Sequence, residues 1–218
     1  MKTLDVPRLK TGSPEPSIQE ISEMMDSIAG WHRVDTINWA EFSYRPEVSF
    51  AIAHSGTEIF IKFFVTEEYF RAECMNSNDN VYEDSCVEFF VSPAGDGIYY
   101  NFEFNALGTC LMGSGTGRAD SSRVDPNIIS MIRRLGSLPV KPVPASEGLV
   151  SWTLTVAIPS KCFFRHGISD LSGQSFRANF YKCGDKLKLP HYLSWSDVET
   201  KAPDFHRPEF FGQIHFLK

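Results

Sequence analysis

The sequence predicts a mainly all-β fold, an antiparallel β-sandwich of jelly-roll character, with an N-terminal helix and one long loop excursion. Three observations predict it. From about residue 35 onward, short runs rich in β-branched and aromatic residues are separated by Gly, Asn, Asp and Pro. Within those runs apolar and polar residues alternate with period two. Finally, 18 Phe, 7 Tyr and 4 Trp among 218 residues supply one sizeable aromatic core, with no Gly/Ser/Pro linker dividing the chain.

Residues 1–34 read as an N-terminal extension. In it Ser17 and Glu20 form an S-x-x-E capping box, and Ile18, Ile21, Met25 and Ile28 recur at helical spacing until Gly30. A helix over 17–29 follows, packed on an edge of the sandwich. The sandwich occupies 35–218, with strands expected near 48–54, 58–66, 69–74, 82–92, 98–106, 109–112, 149–157, 176–183, 191–195 and 212–217. Residues 113–148 are rich in Gly, Ser and Pro, apart from a short helix expected at 127–135, and read as a surface excursion.

Composition excludes several function classes. Net charge is −6 with the signs interspersed, so no basic stripe exists for phosphates and nucleic acid is not expected as a partner. No apolar run approaches the roughly 20 residues of a membrane-spanning helix. Met1 to Lys10 contains no apolar signal core, so the chain as given reads as cytoplasmic, or as secreted or periplasmic if a signal has been removed. Cys74, Cys86, Cys110, Cys162 and Cys183 are odd in number and lack a C-x-x-C pair, which suggests free, mostly buried thiols.

Alternation sorts the strand residues onto two faces. Tyr100, Phe102, Phe104 and Ala106 oppose Tyr99, Asn101, Glu103 and Asn105; Phe176, Ala178 and Phe180 oppose Arg177, Asn179 and Tyr181. Val87, Phe89 and Val91 oppose Tyr82, Asp84, Glu88 and the apolar Cys86 and Phe90, while Phe70, Ala72 and Cys74 oppose Arg71. With these strands side by side, one surface collects Arg71, Tyr82, Asp84, Glu88, Asn101, Glu103, Asn105, Arg177, Asn179 and Tyr181. Bidentate charges and amides suit vicinal hydroxyls, each of which donates and accepts, and aromatic rings suit the C–H face of a sugar.

The segment Val81-Tyr-Glu-Asp-Ser-Cys-Val-Glu-Phe-Phe-Val91 resembles the V-W-x-D-(D/S)-x-V-E-x-F strand of family 9 carbohydrate-binding modules, which are related to DOMON domains. In the matching order follow Tyr100-Asn-Phe-Glu-Phe-Asn105, Trp152, Ile158-Pro159, Arg177-Ala-Asn-Phe180, Leu193-Ser-Trp195 and Pro208-Glu-Phe-Phe-Gly212, with Arg71-Ala72 upstream. The resemblance implies that sugar is bound without cleavage, between two aromatic rings at Tyr82 and Trp195. It implies further contacts from Glu88, Arg177, Asn179 and Arg118 in the long loop. Tyr82 stands where Trp is usual, a smaller platform with a hydroxyl of its own. Family members can hold structural calcium, which stays open for this chain although no oxygen-ligand spacing assigns it; no other cofactor is expected. A carbohydrate is the expected partner, and a polysaccharide-degrading enzyme is a candidate associate.

Two other classes compete. In a protein-interaction sandwich, Tyr82, Tyr181 and Trp195 would form an exposed patch for another chain. A glycosidase needs two carboxyls about 5–10 Å apart. Asp84 and Glu88, on one strand face, would stand about 13 Å apart, although Glu88 could meet Glu103 across strands. The histidines lack zinc spacing, and Met112 or Met131 with His191 could imitate the haem site of a DOMON domain.

Overall fold

Alternating strands with two coverable faces need something to bury each face, and the chain supplies it from both ends. The computed structural model describes residues 1–13, 15–28 and 30–218. In chain order the elements are β1 (Thr3–Val6), α1 (Ile18–Asp26), β2 (His32–Arg33), β3 (Thr36–Ile37), β4 (Glu47–His54), β5 (Glu58–Ala72), β6 (Cys86–Ser92) and β7 (Tyr99–Asn105). They continue with β8 (Cys110–Gly115), β9 (Ser122–Arg123), α2 (Pro126–Ile129), β10 (Arg133–Gly136), β11 (Val143–Pro159), β12 (Ser175–Cys183), β13 (Tyr192–Ser194) and β14 (Gly212–Phe216).

Among the described residues the strands form two sheets. The larger runs β1-β14-β12-β6-β7-β8-β9, with β13 pairing β12 and β3; the smaller runs β10-β11-β5-β4-β2. Pairing is antiparallel except between β1 and β14. The fold is the expected all-β sandwich. Phe89, Phe102 and Phe180 from the larger sheet meet Phe50, Ile61, Phe63 and Trp152 from the smaller one. The Phe50 and Phe180 rings stack at 3.7 Å between centroids, with Trp195 edge-on to both.

Ser17 caps α1 as its sequence predicts: Glu20 N donates to Ser17 Oγ at 3.2 Å and Ser17 N donates to Glu20 Oε2 at 2.7 Å, an arrangement worth about 1 kcal/mol. Its apolar stripe, Ile21 and Met25, covers Ala51, Ala53, Phe60 and Ala157 on the outer face of the smaller sheet. The predicted last residue, Ala29, lies outside the described residues. Thr3–Val6 pairs with β14 and His32–Arg33 with β4, so both ends of the segment 1–34 are strands of the sandwich.

Several predicted boundaries are corrected. The strands expected at 58–66 and 69–74 are one continuous β5, in which Glu67, between the two expected runs, turns inward. It is fully buried, its Oε2 lies 2.9 Å from Lys182 Nζ, and its Oε1 accepts Trp152 Nε1 at 2.7 Å. Lys182 also donates to His191 Nε2 at 3.0 Å, and His191 Nδ1 donates to the Leu189 carbonyl. Burial, with the Lys182 charge adding, holds the His191 ring well below its ordinary value, so the ring is neutral and accepts from the ammonium. Its ring nitrogens are thus both occupied and do not serve a haem. The excursion 113–148 is largely structured, as the end of β8, β9, α2, β10 and the start of β11, and the helix expected at 127–135 stops at Ile129 before β10.

Candidate functional site

The outward face of the larger sheet, expected as an open polar surface, is mostly roofed. Trp39, Phe42, Val198, Phe205 and Phe211, from the segments near 38–42 and 195–211, pack on Cys86, Phe90, Tyr99, Leu111 and Tyr181 of the sheet. The roof leaves a cleft of about 510 Å³ over β6, β7 and β8.

Four of the nine candidate residues meet there: Tyr82, Glu88, Asn101 and Arg118. Tyr82 does not extend β6 as alternation suggested. It sits on a 3-10 turn, Val81–Glu83, fixed where Asp185 N donates to the Tyr82 carbonyl at 2.9 Å. Glu88 and Glu103 face each other directly across β6 and β7, both at least 96% buried. Asn101 Nδ2 donates to Glu103 Oε1 at 2.9 Å, and Ser121 Oγ donates to Asn101 Oδ1 at 3.4 Å. Opposite Asn101 on β8 is Gly113, where a Cβ would come within 2.6 Å of Asn101 Oδ1; only glycine leaves room for this amide.

Arg118 rides a turn closed by Asp120, which accepts from Thr116 N and Gly117 N, and its Nε lies 3.1 Å from Asp204 Oδ1. That pair joins the 116–123 turn to the roof. Arg123, also on the lining, donates to Asn80 Oδ1 at 2.6 Å. His206 Nδ1 lies 2.6 Å from Tyr99 Oη, and burial lowers this ring to about 4, so it is neutral.

The electrostatics of the floor follow from burial. Desolvation pushes the Glu88 carboxyl well above its ordinary range, with the Glu103 charge adding to the effect. Desolvation likewise pushes Glu103 up to about 7, against the pull of the Asn101 hydrogen bond. The Cys183 thiol, itself held up by burial, donates to Glu88 Oε1 at 3.0 Å.

The other five candidates do structural work elsewhere. Trp195 is 4% exposed in the core between the sheets, so the expected Tyr82–Trp195 clamp is not what the fold presents. Asp84 is completely buried; burial pushes its carboxyl up, but hydrogen bonds from Asn105 Nδ2, Cys74 N, Glu73 N and Arg71 Nε outweigh that and hold it below the usual range. Arg71 is committed to Asp84 and Glu73. Arg177 Nη2 donates to the Glu209 and Phe211 carbonyls at 2.9 Å. Asn179 exchanges hydrogen bonds with the Ser196 backbone. Arg177 and Asn179 therefore staple the roof to the sheet. Tyr181 is fully buried too, so the patch of Tyr82, Tyr181 and Trp195 imagined for a protein partner does not exist on the surface.

Phe42, Glu103, Asp185, Tyr192 and Phe205 line the cleft without having been candidates. Glu103 had a signal, its shared outward register with Asn101. Phe42, Asp185 and Phe205 lie outside the strands, where no periodicity operates, and Tyr192 opens the three-residue β13, too short to carry one. Aromatic rings thus reach the wall from Tyr82, Phe42, Tyr192 and Phe205; Phe42 and Tyr192 meet edge-on at 4.8 Å. For calcium, the fit is poor where potential ligands converge. Among the described residues the group of three drawn from Asp, Glu, His and Cys is Cys86, Glu88 and Cys183, two protonated thiols and a carboxyl, where calcium takes six or more oxygens.

Known proteins resemble both the sequence and this fold. Residues 19–216 match the model of carbohydrate-binding family 9. A candidate carbohydrate-binding protein from Bacteroides uniformis ATCC 8492, known from a crystal structure, is 40% identical, with a TM-score of 0.94 over 99% of each chain. A family 9 carbohydrate-binding module from Caldicellulosiruptor kristjanssonii, in complexes with glucose and with cellotriose, shares the fold at a TM-score of 0.59 in both cases. Its identity to this chain is 10% and 13%, over 99% of this chain and 95% and 94% of that one. None of the curated proteins matches the chain. With the family model spanning the sandwich from α1 to the final strand, the chain belongs to carbohydrate-binding family 9.

Proposed function

We propose that the protein binds a carbohydrate in the cleft over β6, β7 and β8, by equilibrium recognition with no bond made or broken. The observation that carries this reading is the meeting, in one cavity of about 510 Å³, of Asn101, Glu88, Glu103 and Arg118 with the Tyr82, Tyr192 and Phe205 rings. Planar polar groups grip vicinal hydroxyls and the rings receive C–H faces. The cleft is small, so a terminal sugar or a short oligosaccharide is its occupant. The ring partner of Tyr82 is Tyr192 or Phe205, in place of the core residue Trp195.

The adjacent Glu88 and Glu103 also suit a hydrolase in outline. A retaining glycosidase, however, needs one carboxylate ionised as nucleophile beside one acid. Here burial pushes both carboxyls up, and Glu88 is occupied by a thiol. Calorimetric titration of the wild type and Tyr82→Ala with a panel of mono- and oligosaccharides tests the reading. Saturable heat with a dissociation constant between roughly 1 μM and 1 mM, weakened in the variant, is expected. Absence of heat across the panel would refute it, and sugar release from a polysaccharide would refute its non-catalytic part.

A further inference from the structure

The floor of the cleft holds two carboxyls with no cation paired to either. Among the described residues, no ion pair includes Glu88 or Glu103. The two guanidiniums on the lining are engaged elsewhere, Arg118 with Asp204 and Arg123 with Asn80. Glu103 Oε2 is buried and has no hydrogen-bond partner among the described residues. Glu88 accepts at Oε1 from Cys183. Asp185 and Asp204 also line the cavity, so four carboxyl groups face two arginines, with His206 uncharged.

A buried acceptor left unpaired in a native fold calls for an explanation, and two facing buried carboxyls must either hold protons or take a counter-charge. A neutral hydroxyl would satisfy the acceptor and leave the carboxyls protonated. A primary ammonium satisfies both, since it brings three donors and a positive charge to two carboxylates at once. Glu103 is already on the cleft lining and its terminal torsion is broad, so the carboxyl can turn to offer one oxygen to the ligand while the other faces the Asn101 amide.

We propose that the cleft selects an amino sugar, whose ammonium group is received by Glu88 and Glu103. The inference rests on the carbohydrate-binding reading and names the ligand class within it. Burial pushes both carboxyls up when the cleft is empty, and the ammonium reverses that shift, so an amine binds the ionised pair. Arg118 and Asp204, joined at the rim, remain to serve the neutral hydroxyls.

The test is calorimetric titration at pH 7.5 with glucosamine, galactosamine and mannosamine. Each is set against its hydroxyl counterpart and its N-acetyl form, on the wild type and on Glu103→Gln checked for folding by circular dichroism. At least one free amine is expected to bind tenfold or more tightly than both of its neutral counterparts, with the advantage falling below threefold in Glu103→Gln. Neutral sugars binding as well as the amines would overturn the inference and leave the carbohydrate reading standing. No binding by any member would overturn both. The comparison of ligands on the wild type decides the matter even where the variant does not fold.

Discussion

Replacing Glu103 by Gln should stabilise the fold at neutral and alkaline pH and leave it nearly unchanged in acid. The folded carboxyl is raised by burial to about 7 from an ordinary 4.5. A raised carboxyl holds its proton in the folded state over the range where the unfolded chain has released it. Stability is therefore lost as pH rises through that window, from about 4.5 to about 7, and stays lost above it. At roughly 1.4 kcal/mol per pKa unit, the full penalty at pH 8 is on the order of 3 kcal/mol. Gln has the same shape, and its amide oxygen can still accept from Asn101, so the variant escapes the penalty without opening a cavity. Guanidinium titrations at pH 4 and pH 8 measure this directly. The midpoint of Glu103→Gln should lie well above wild type at pH 8, by up to that amount, and close to it at pH 4. His191 and His206, both lowered by burial, cost stability as pH falls below about 6.5, but that trend is common to both proteins and cancels in the difference. Equal midpoints at pH 8, or a loss of equal size at both pH values, would refute the idea that Glu103 is an uncompensated buried acid.

Trp195→Ala should cost about 3–5 kcal/mol of stability in urea denaturation, because it removes the ring packed edge-on against the stacked Phe50 and Phe180 and leaves a cavity in the core. A loss under about 1 kcal/mol together with abolished sugar binding would return that ring to the ligand. Gly113→Ala should weaken ligand binding about tenfold, about 1.4 kcal/mol, by driving the Asn101 amide off its place. Thermal unfolding should shift little, since Asn101 and Ser121 can rotate away; unchanged affinity would show that the Asn101 position is immaterial.

The sandwich was legible in the sequence because two strong signals agreed, period-two alternation and aromatic runs cut by turn residues. The inward set Val87, Phe89, Val91, Phe102, Phe104 and Phe180 reads straight off the chain and is the core. The outward set was equally readable, but its surroundings were not. Alternation says which way Asn179, Arg177 and Tyr181 point and nothing about the 195–211 segment that lies over them. Residues expected to greet a ligand therefore hold a roof instead. Trp195 failed as a candidate for a related reason: it follows a three-residue strand, too short for alternation to assign its face, and resemblance alone had placed it. Tyr82 and Glu88 both reach the cleft although they do not share a strand, since Tyr82 sits on a 3-10 turn and β6 begins only at Cys86. Short β1, β2, β3 and β9 offered too few residues for any periodic signal, and they form only because longer neighbours supply their partners.

Lys182 on β12 and Glu67 on β5 meet in the buried space between the two sheets, where Trp152 donates to Glu67 and Lys182 donates to His191. Elsewhere this interior is apolar, with Phe, Ile and Val prominent, side chains that tolerate one another in many arrangements and discriminate poorly between one strand alignment and the next. A slip of β5 or β12 by one residue would turn one of these charges to the opposite face and strand its partner in an apolar medium, a fault of several kcal/mol that no aromatic repacking repairs. The pair thus acts as a proofreading mark for assembly: the correct alignment is the one in which these two charges find each other.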